Sequence, residues 1–452
     1  MDLRAWADRA VAEISAWQRE FGDAEPHPDA VVPEARFTAG FDELLGRLRE
    51  TYPFHHPRYF GQLIKPPHPV AAAGYLAAML LNPNNHALDG GPATTELERE
   101  AVDSLAGMLG IPGALGHLTG SGTVANLESL FVAREIHPGA AVAGSAEAHY
   151  THARTCHLLG VPFVPIPADP AGRMDVAALE RQLRARRIGT VVLTAGTTGL
   201  GALDPVPEVL ELRRRHGFRI HVDAACGGFF ALIADDAPDG VAAAPFRALA
   251  ECDSVVVDPH KHGLQPYGCG AVLFADPSVR RFYRHESPWT YFTSDEPHLG
   301  EISLECSRPG AAAAALWLTF RLLPPTPDGL GRLLRASRRA ALRWAELLER
   351  SPVLSAYQRP ELDVLAVVPE AGSMSEIDRR TEAILRGGMA DGSAYLAAME
   401  VTAGDLHRRG HRPRADRDRA RILRGALLKP EHEHWIGTCH AAVEELARRA
   451  AG

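Results

Sequence analysis

Two residues at the ends of predicted buried strands could carry out chemistry together. Lys261 follows the β-branched run over residues 254–257 after a short polar turn, and Asp223 ends a similar run over residues 219–223. Open α/β sheets place their chemistry at strand ends, where a lysine in poor solvent can lose its proton and become a nucleophilic amine. A neighbouring carboxylate can keep a heteroaromatic nitrogen protonated. For each residue alone, a structural ion pair is the alternative.

A third group with chemical potential is the Leu-Thr-Gly-Ser-Gly-Thr turn at residues 118–123, which precedes a predicted helix beginning near Val124. Such a turn offers unpaired N–H groups and the positive end of the helix dipole, and both favour a phosphate. Ordinary helix capping explains glycine-rich turns too, and the lysine of a Walker loop is missing. An amine, a carboxylate and an anion site are together what pyridoxal phosphate requires.

Alternating strands and helices must position these groups. Helical periodicity separates most of the short apolar runs, and this alternation predicts an α/β fold with a mainly parallel, doubly wound sheet. Residues 258–263, which contain Lys261, are called the lysine turn. We expect the last strand to run antiparallel because it follows this turn so closely. The predicted strands are residues 141–145, 163–166, 190–194, 218–222, 254–257 and 271–274.

Length and pattern divide the chain into three parts. A chain of 452 residues is too long for one ordinary core. Residues 1–81 are interpreted as an N-terminal helical arm and residues 82–325 as a large cofactor-binding domain. Residues 326–452 are interpreted as a small C-terminal α+β domain, with strands at 364–368, 399–402 and 421–427.

Composition excludes several classes of protein. The net charge of −8 argues against a general nucleic-acid binder. Six cysteines without CxxC pairing indicate reduced thiols in a cytoplasmic protein. The N-terminus does not read as a signal peptide, and no apolar run is long enough to cross a membrane. Several histidines invite a metal site, but their spacing matches no zinc template, so no metal is expected.

Five motifs in order along the chain resemble those of fold-type I pyridoxal-phosphate enzymes, and among these the group II amino-acid decarboxylases, which include the aromatic-L-amino-acid and glutamate decarboxylases. The resemblance runs from His56 to the region of Arg424. It implies an aspartate aminotransferase-like fold, a seven-stranded sheet of mainly parallel strands, and a homodimer. The motifs are residues 122–127, 147–151, 194–199, 221–225 and 258–261.

The resemblance also implies roles for cofactor-binding residues. Lys261 resembles the lysine that forms the Schiff base, and Asp223 resembles the partner of the pyridine nitrogen. His149 resembles the histidine that stacks on the ring, and Ala225 resembles the small residue on the other face. The remaining positions so implied are Gly122, Thr123 and His260 at the phosphate and Thr198 near the ring oxygen.

Asp258 departs from the family pattern, because many relatives have asparagine there. An acid beside a phosphate is unfavourable unless it points away or is paired. Asp258 therefore receives no binding role from the sequence.

The resemblance implies a substrate pocket as well. Pro92 lies in a turn similar to the family's pocket turn, with His86 before it and Phe60 opposite. Arg424 resembles the arginine that holds the substrate carboxylate, a task that suits a guanidinium fork. A structural arginine is the alternative in this arginine-rich region.

Tyr291 lies in residues 286–299, where the family has a loop that carries a catalytic tyrosine. Such a loop closes over a site and places a proton donor. The composition of the segment equally fits an ordinary surface loop.

The expected activity is therefore decarboxylation of an L-amino acid with pyridoxal phosphate, with an aromatic substrate favoured by the predicted pocket. An acidic or small aliphatic substrate stays open. The nearest enzymatic alternative is an aldehyde synthase that couples decarboxylation to oxidation, and a non-catalytic protein of the same fold is the alternative from another class.

Overall fold

The structure of the chain is a computed structural model that describes residues 2–22, 25–284 and 298–452. Two β-sheets organise it. The first contains seven strands and the second contains four. The strands of the first sheet are β1 (Leu115–Thr119), β2 (Ala141–Ser145), β3 (Phe163–Ile166), β4 (Ile188–Thr194), β5 (Arg219–Asp223), β6 (Ser254–Val257) and β7 (Gly270–Phe274). Those of the second are β8 (Leu354–Ala356), β9 (Val364–Pro369), β10 (Ala397–Thr402) and β11 (Arg419–Ala426).

The seven-stranded sheet has the order β1-β7-β6-β5-β4-β2-β3. Strands β2 to β6 pair in parallel, whereas β7 runs antiparallel to both of its neighbours, β6 and β1. The predictions of a mainly parallel sheet and of an antiparallel last strand are therefore confirmed. The antiparallel strand joins the lysine turn after β6 to the glycine-rich turn after β1.

Helices cover both faces of this sheet, as the packing of β6 shows. Val255 and Val257 pack into one hydrophobic cluster and Val256 packs into another, because successive strand residues point to opposite faces. The described helices of this part are α3 (Pro69–Met79), α4 (Pro92–Met108), α5 (Gly122–Ile136), α6 (Thr151–Leu158), α7 (Val176–Ala185), α8 (Val206–His216), α9 (Ala243–Arg247) and α10 (Gly310–Leu322).

The four-stranded sheet is antiparallel throughout, in the order β10-β11-β9-β8. Trp344 is fully buried at the centre of its core, where its ring meets Phe60 edge-on with centroids 5.4 Å apart. Three long helices and one short one accompany this sheet, namely α11 (Leu330–Leu348), α12 (Met374–Asp391), α13 (Ala403–Arg408) and α14 (His432–Ala451).

The chain begins with two amphipathic helices that contain no buried residue, α1 (Leu3–Arg19) and α2 (Glu34–Leu48). Apolar side chains on both are about half exposed, among them Trp17 and Phe41. Within the described ranges, no helix combines the length and apolarity needed to cross a bilayer.

Two strands and one helix are absent from the sequence-based prediction. β1 contains glycine and histidine and β8 has three residues, so neither shows a β-branched run. The short helix α13 is the element that was not predicted, and a Thr402–Asp405 capping box starts it.

Candidate functional site

A cavity of about 180 Å³ opens at the carboxyl ends of β4, β5 and β6, on the face of the sheet that α5 and α6 cover. It is called the strand-end cavity below. This is the edge at which open α/β sheets place ligands. The cavity is lined by Ser121, Gly122, Thr123, Asn126, His149, Thr151, Thr194, Gly196, Thr198, Asp223, Ala225, Cys226, Asp258, His260 and Lys261.

Lys261 presents its amino group to this cavity, and about one fifth of its side chain is exposed. The Nζ atom lies 3.1 Å from Oδ2 of Asp258 and 3.3 Å from Sγ of Cys226. Burial alone would lower the pKa of Lys261, but Cys226, Asp258 and Asp223 together raise it above its ordinary value. Burial also raises the pKa of the Cys226 thiol, so the carboxylates carry the negative charge that holds the ammonium form.

Asp223 ends β5 and is 5% exposed. Its Oδ2 lies 2.9 Å from Nε2 of His152, and its Oδ1 accepts a hydrogen bond of 3.1 Å from the backbone N–H of Ala225. Burial acts to raise the pKa of this carboxyl, but the bond to His152 and the charge of Lys261 outweigh it and hold the pKa below its usual range. Asp223 is therefore an ionised carboxylate facing the cavity.

The glycine-rich turn meets the cavity where α5 begins at Gly122. Ser121 caps the helix by accepting a hydrogen bond from the N–H of Val124 at 3.4 Å. A Cβ on Gly122 would lie 2.7 Å from the Asp258 carboxylate, and one on Gly270 would lie 2.6 Å from the Ser121 carbonyl carbon. Both positions require glycine because the turn, β7 and the lysine turn are in close contact.

The five other predicted cofactor-binding residues also line the cavity, namely Thr123, His149, Thr198, Ala225 and His260. His149 accepts a hydrogen bond from the N–H of Thr151 through Nδ1, and burial lowers the pKa of its ring, so a neutral imidazole faces the cavity. His260 donates from Nδ1 to the carbonyl of Cys269 at 2.8 Å. Thr198 is exposed at the rim. All eight predicted cofactor-binding positions therefore meet in one cavity.

The predicted substrate-binding residues do not line this cavity. Phe60 is fully buried in the core of the four-stranded sheet, and the half-buried His86 and the exposed Pro92 lie in the segment leading into α4. Arg424 is closest: it is 7% exposed and donates to the carbonyl oxygens of Gly199, at 3.3 Å, and Gly61. Gly199 follows the cavity residue Thr198, so the guanidinium lies beside the cavity wall.

Tyr291 lies outside the residues that the structure describes. Its predicted role as a proton donor is therefore still a prediction.

Sequence reasoning missed two close neighbours of the reactive groups. His152 bonds Asp223 from α6, and Cys226 contacts Lys261 from the turn after β5. The pairs are 71 and 35 residues apart in sequence, so no local pattern links them. The only available signal was the position of His152 three residues after His149 in sequence.

Comparison with known proteins identifies the family. Residues 52–351 match the pyridoxal-dependent decarboxylase conserved domain. The chain is 29% identical over 422 residues to an L-tyrosine decarboxylase of Enterococcus faecium, covering 72% of this chain and 69% of that protein. It is 28% identical over 348 residues to an L-aspartate decarboxylase of Thermococcus kodakarensis, covering 75% of this chain and 86% of that protein.

A solved structure shows the same fold. The crystal structure of Oryza sativa TDC with PLP and tryptamine superimposes with a TM-score of 0.81 at 20% identity and covers 99% of this chain and 98% of that one. The family match spans about two thirds of the chain and includes every residue of the strand-end cavity. This chain is a member of the pyridoxal-dependent decarboxylase family.

Proposed function

We propose that this chain removes the carboxyl group of an aromatic L-amino acid as CO2 and releases the corresponding amine. Membership of the family gives the reaction class, amino-acid decarboxylation, and the cofactor, pyridoxal phosphate. The observation that carries the proposal is the meeting of Lys261, the ionised Asp223 and the start of α5 in one cavity.

The residues of the cavity fit pyridoxal phosphate. Oγ1 of Thr151, Oγ1 of Thr194 and Oδ1 of Asp258 are buried at its wall and have no hydrogen-bond partner among the described residues. Buried polar atoms without partners are costly, so a polar ligand is expected to satisfy them. The Gly122 position, where a Cβ cannot be accommodated, leaves the first N–H groups of α5 accessible.

The roles that we assign follow from these positions. Lys261 is the one lysine at the cavity and would bind the aldehyde carbon of the cofactor, while Asp223 would hold a proton on the ring nitrogen. When bound, pyridoxal phosphate supplies a conjugated ring that accepts the electron pair left by the departing CO2. The hydrogen bond from His152 favours the ionised form of Asp223. In the proposed bond between Asp223 and the cofactor, the proton would therefore stay on the ring nitrogen of the cofactor.

Two further residues would handle the substrate. Arg424 is buried beside the cavity and offers a guanidinium to the substrate carboxylate before it leaves. The neutral ring of His149 would pack against the cofactor ring, and Tyr291 would return a proton to the α-carbon. Simple decarboxylation remains our proposal over aldehyde formation because both residues are present in the sequence.

The aromatic substrate is proposed from the likeness to the L-tyrosine decarboxylase of Enterococcus faecium. An acidic substrate is the second candidate, because the relative from Thermococcus kodakarensis is named an L-aspartate decarboxylase. The deciding experiment is a screen of the protein amino acids with added pyridoxal phosphate, following CO2 and identifying the amine by mass spectrometry. We expect tyrosine, phenylalanine or tryptophan to give CO2 and amine in equal amounts.

Each outcome of the screen has a distinct meaning. A faster reaction of aspartate or glutamate would overturn the aromatic assignment and leave the reaction class intact. Aldehyde and peroxide in place of amine would overturn simple decarboxylation. Bound cofactor without CO2 from any amino acid would overturn the decarboxylase proposal itself.

We also propose a homodimer that buries the N-terminal helices. The apolar side chains of α1 and α2 are too numerous and too exposed for a free surface, as Trp6, Phe37 and Leu44 illustrate. Replacing Phe41 and Leu44 by aspartate should give a monomer in light scattering. Asp42→Ala on the same helix is the control and should remain dimeric.

The cellular location and the domain division are further proposals. All six cysteines are free thiols, and free thiols persist in a reducing compartment, so we place the protein in the cytoplasm. We keep the division at residues 81 and 325, which separates α1 to α3 and the two sheets from one another. Limited proteolysis would test it, since boundaries are cleaved first.

A further inference from the structure

We propose that Asp258 places a negative charge beside the phosphate-binding turn, and that the phosphate group of the cofactor binds there together with one proton from solvent. This inference rests on the proposed cofactor site and concerns how this chain binds its phosphate end. His260, whose Nε2 lies 3.6 Å from Asp258, takes up the added proton.

The position of the Asp258 carboxylate is the first observation. Asp258 directly follows β6 and is 3% exposed. A Cβ added to Gly122 would lie 2.7 Å from Oδ2 and 2.8 Å from Oδ1 of Asp258. The carboxylate therefore lies against the first residue of α5, at the positive end of the helix, where an anion is stabilised. A phosphate bound at this turn has a buried negative charge as its neighbour.

The partners of Asp258 are the second observation. Its Oδ2 lies 3.1 Å from Nζ of Lys261 and 3.6 Å from Nε2 of His260, whereas its Oδ1 has no hydrogen-bond partner among the described residues. A buried carboxylate oxygen without a partner is costly and can accept a proton or a donor. The carboxylate is thus only half satisfied by the protein.

His260 is suited to take up the proton. Its Nδ1 donates to the carbonyl of Cys269, so Nε2, which faces Asp258, is the nitrogen that can gain a proton. Burial and the Lys261 charge lower the pKa of this ring and Asp258 raises it, with a net lowering. The negative charge of a bound phosphate would raise the pKa of His260, as Asp258 does, and so favour the imidazolium form.

The other groups that face Asp258 do not remove the conflict between two anions. Asp223 from β5 adds negative charge, and Cys226 and Tyr267 are neutral because the pKa of each is raised by burial. Among the described residues, Lys261 is the one cation in direct contact with Asp258, and it is the residue that would bind the aldehyde carbon. One further proton restores the charge balance around the phosphate.

The experiment compares Asp258→Asn with the wild type, using the full chain freed of cofactor and pyridoxine 5′-phosphate as the probe. This probe carries an alcohol in place of the aldehyde and cannot bond to Lys261. Removing the like charge should tighten its binding about tenfold, whereas binding of pyridoxine, which has no phosphate, should change by less than about twofold. Calorimetry in two buffers of different ionisation enthalpy should show uptake of about one proton by the wild type near neutral pH and clearly less by the variant.

Three results would overturn the inference: unchanged or weaker binding of the phosphate probe by Asp258→Asn, an equal gain for both probes, or binding to the wild type without proton uptake. The equal gain would mean that the substitution acts through Lys261. If the variant does not fold, the proton count of the wild type decides alone. Failure of the wild type to bind the phosphate probe at all would instead count against the proposed cofactor site.

Discussion

Two clusters of buried charge lie on either side of the turn after β1, and they differ in whether they line the strand-end cavity. The cavity cluster is Lys261, Asp258, Asp223 and His152, described above. The second, called the brace cluster, is Glu98, His117, Glu128 and Arg308, all 8% exposed or less. Both contain two carboxylates and two basic groups, so their composition alone does not separate a site from a structural network.

The brace cluster uses its groups to hold segments of the chain together. Nε2 of His117 lies 2.9 Å from Glu128, and Nη1 of Arg308 donates to the Leu118 carbonyl at 2.6 Å. Glu98 accepts the N–H of Leu118, and Glu128 accepts the N–H of Leu304. These bonds connect α4, β1, α5 and residues 303–308. A buried ionic cluster indicates a ligand site when its polar atoms line a cavity, and the brace cluster does not line the strand-end cavity.

The largest expected effect comes from Lys261→Arg, which keeps the charge and removes the nucleophilic amine. Decarboxylation should fall by at least about 10⁴-fold while the melting temperature stays near that of the wild type. The chain has two other lysines, Lys65 and Lys429, so the matched controls Lys65→Arg and Lys429→Arg complete the set. After borohydride reduction, peptide mapping should find the cofactor on Lys261 in both controls. Cofactor on another lysine would contradict the assignment.

The second largest effect is expected for Asp223→Asn, because a neutral amide could not fill the role proposed for Asp223, which is to hold a proton on the ring nitrogen of the cofactor. The kcat should fall by about 10³-fold, whereas the amide can keep the hydrogen bond to His152 and so preserve part of the stability. The measurement is kcat at saturating cofactor beside a melting curve. A loss of stability without loss of kcat per folded molecule would place Asp223 with the brace cluster.

Glu128→Ala should show the reverse pattern. It leaves His117 and the N–H of Leu304 without their buried partner, so the free energy of unfolding should fall by about 3 to 5 kcal/mol. The kcat per folded molecule should change less than about threefold, because Glu128 does not line the cavity. Urea unfolding and cofactor-saturated kinetics check both parts. Normal stability with a large loss of kcat would contradict the assignment of a structural role to the brace cluster.

The smallest effect concerns His221, which is buried behind Asp223 and fully bonded. Its Nε2 donates to Asn126 and its Nδ1 accepts from Ser254, so the ring is neutral, and burial lowers its pKa from 6.5 to about 3. The unfolded chain binds a proton below 6.5 and the folded chain does not. The contribution of His221 to the free energy of unfolding is therefore complete above pH 6.5. It is lost as the pH falls toward 3, by about 1.4 kcal/mol per pH unit.

The test for His221 is the free energy of unfolding measured in urea at several pH values. His221→Gln should flatten the dependence between pH 6.5 and 5 by about one proton. His434→Gln, at an exposed position on α14, is the control and should keep the wild-type slope. An unchanged slope in His221→Gln would show that this ring is protonated in the folded chain.

The parts of the site that the sequence predicted are those encoded locally. Asp223 ends an apolar strand, Lys261 follows another after a short turn, and Gly122 stands at a helix start. Strand and cap patterns therefore place all three at one edge of the sheet. The His152–Asp223 bond and the brace cluster join residues distant in sequence, so local patterns carry no information about them. The sequence therefore predicted the positions of Lys261 and Asp223 more easily than those of the residues that bond to them, such as His152.

Phe60 shows a different limit. An aromatic residue in an irregular segment can line a pocket or fill a core, and its identity does not decide between them. The choice depends on Trp344 and Gly425, whose positions require the complete second sheet. The surroundings of Arg424 could not be predicted for the same reason, because its hydrogen-bond partners Gly199 and Gly61 come from distant parts of the chain.

The place of β7 in the sheet has a consequence for biosynthesis. β1 is an edge strand whose neighbour is β7, and β7 is the last of the seven strands to leave the ribosome. The parallel strands β2 to β6 can associate in a shorter nascent chain, but the turn at Gly122 is brought to the lysine turn only when residues 270–274 pair with both sides. We therefore expect capture of the cofactor to be a late event in synthesis, and ribosome-bound chains that end before Gly270 should not retain it.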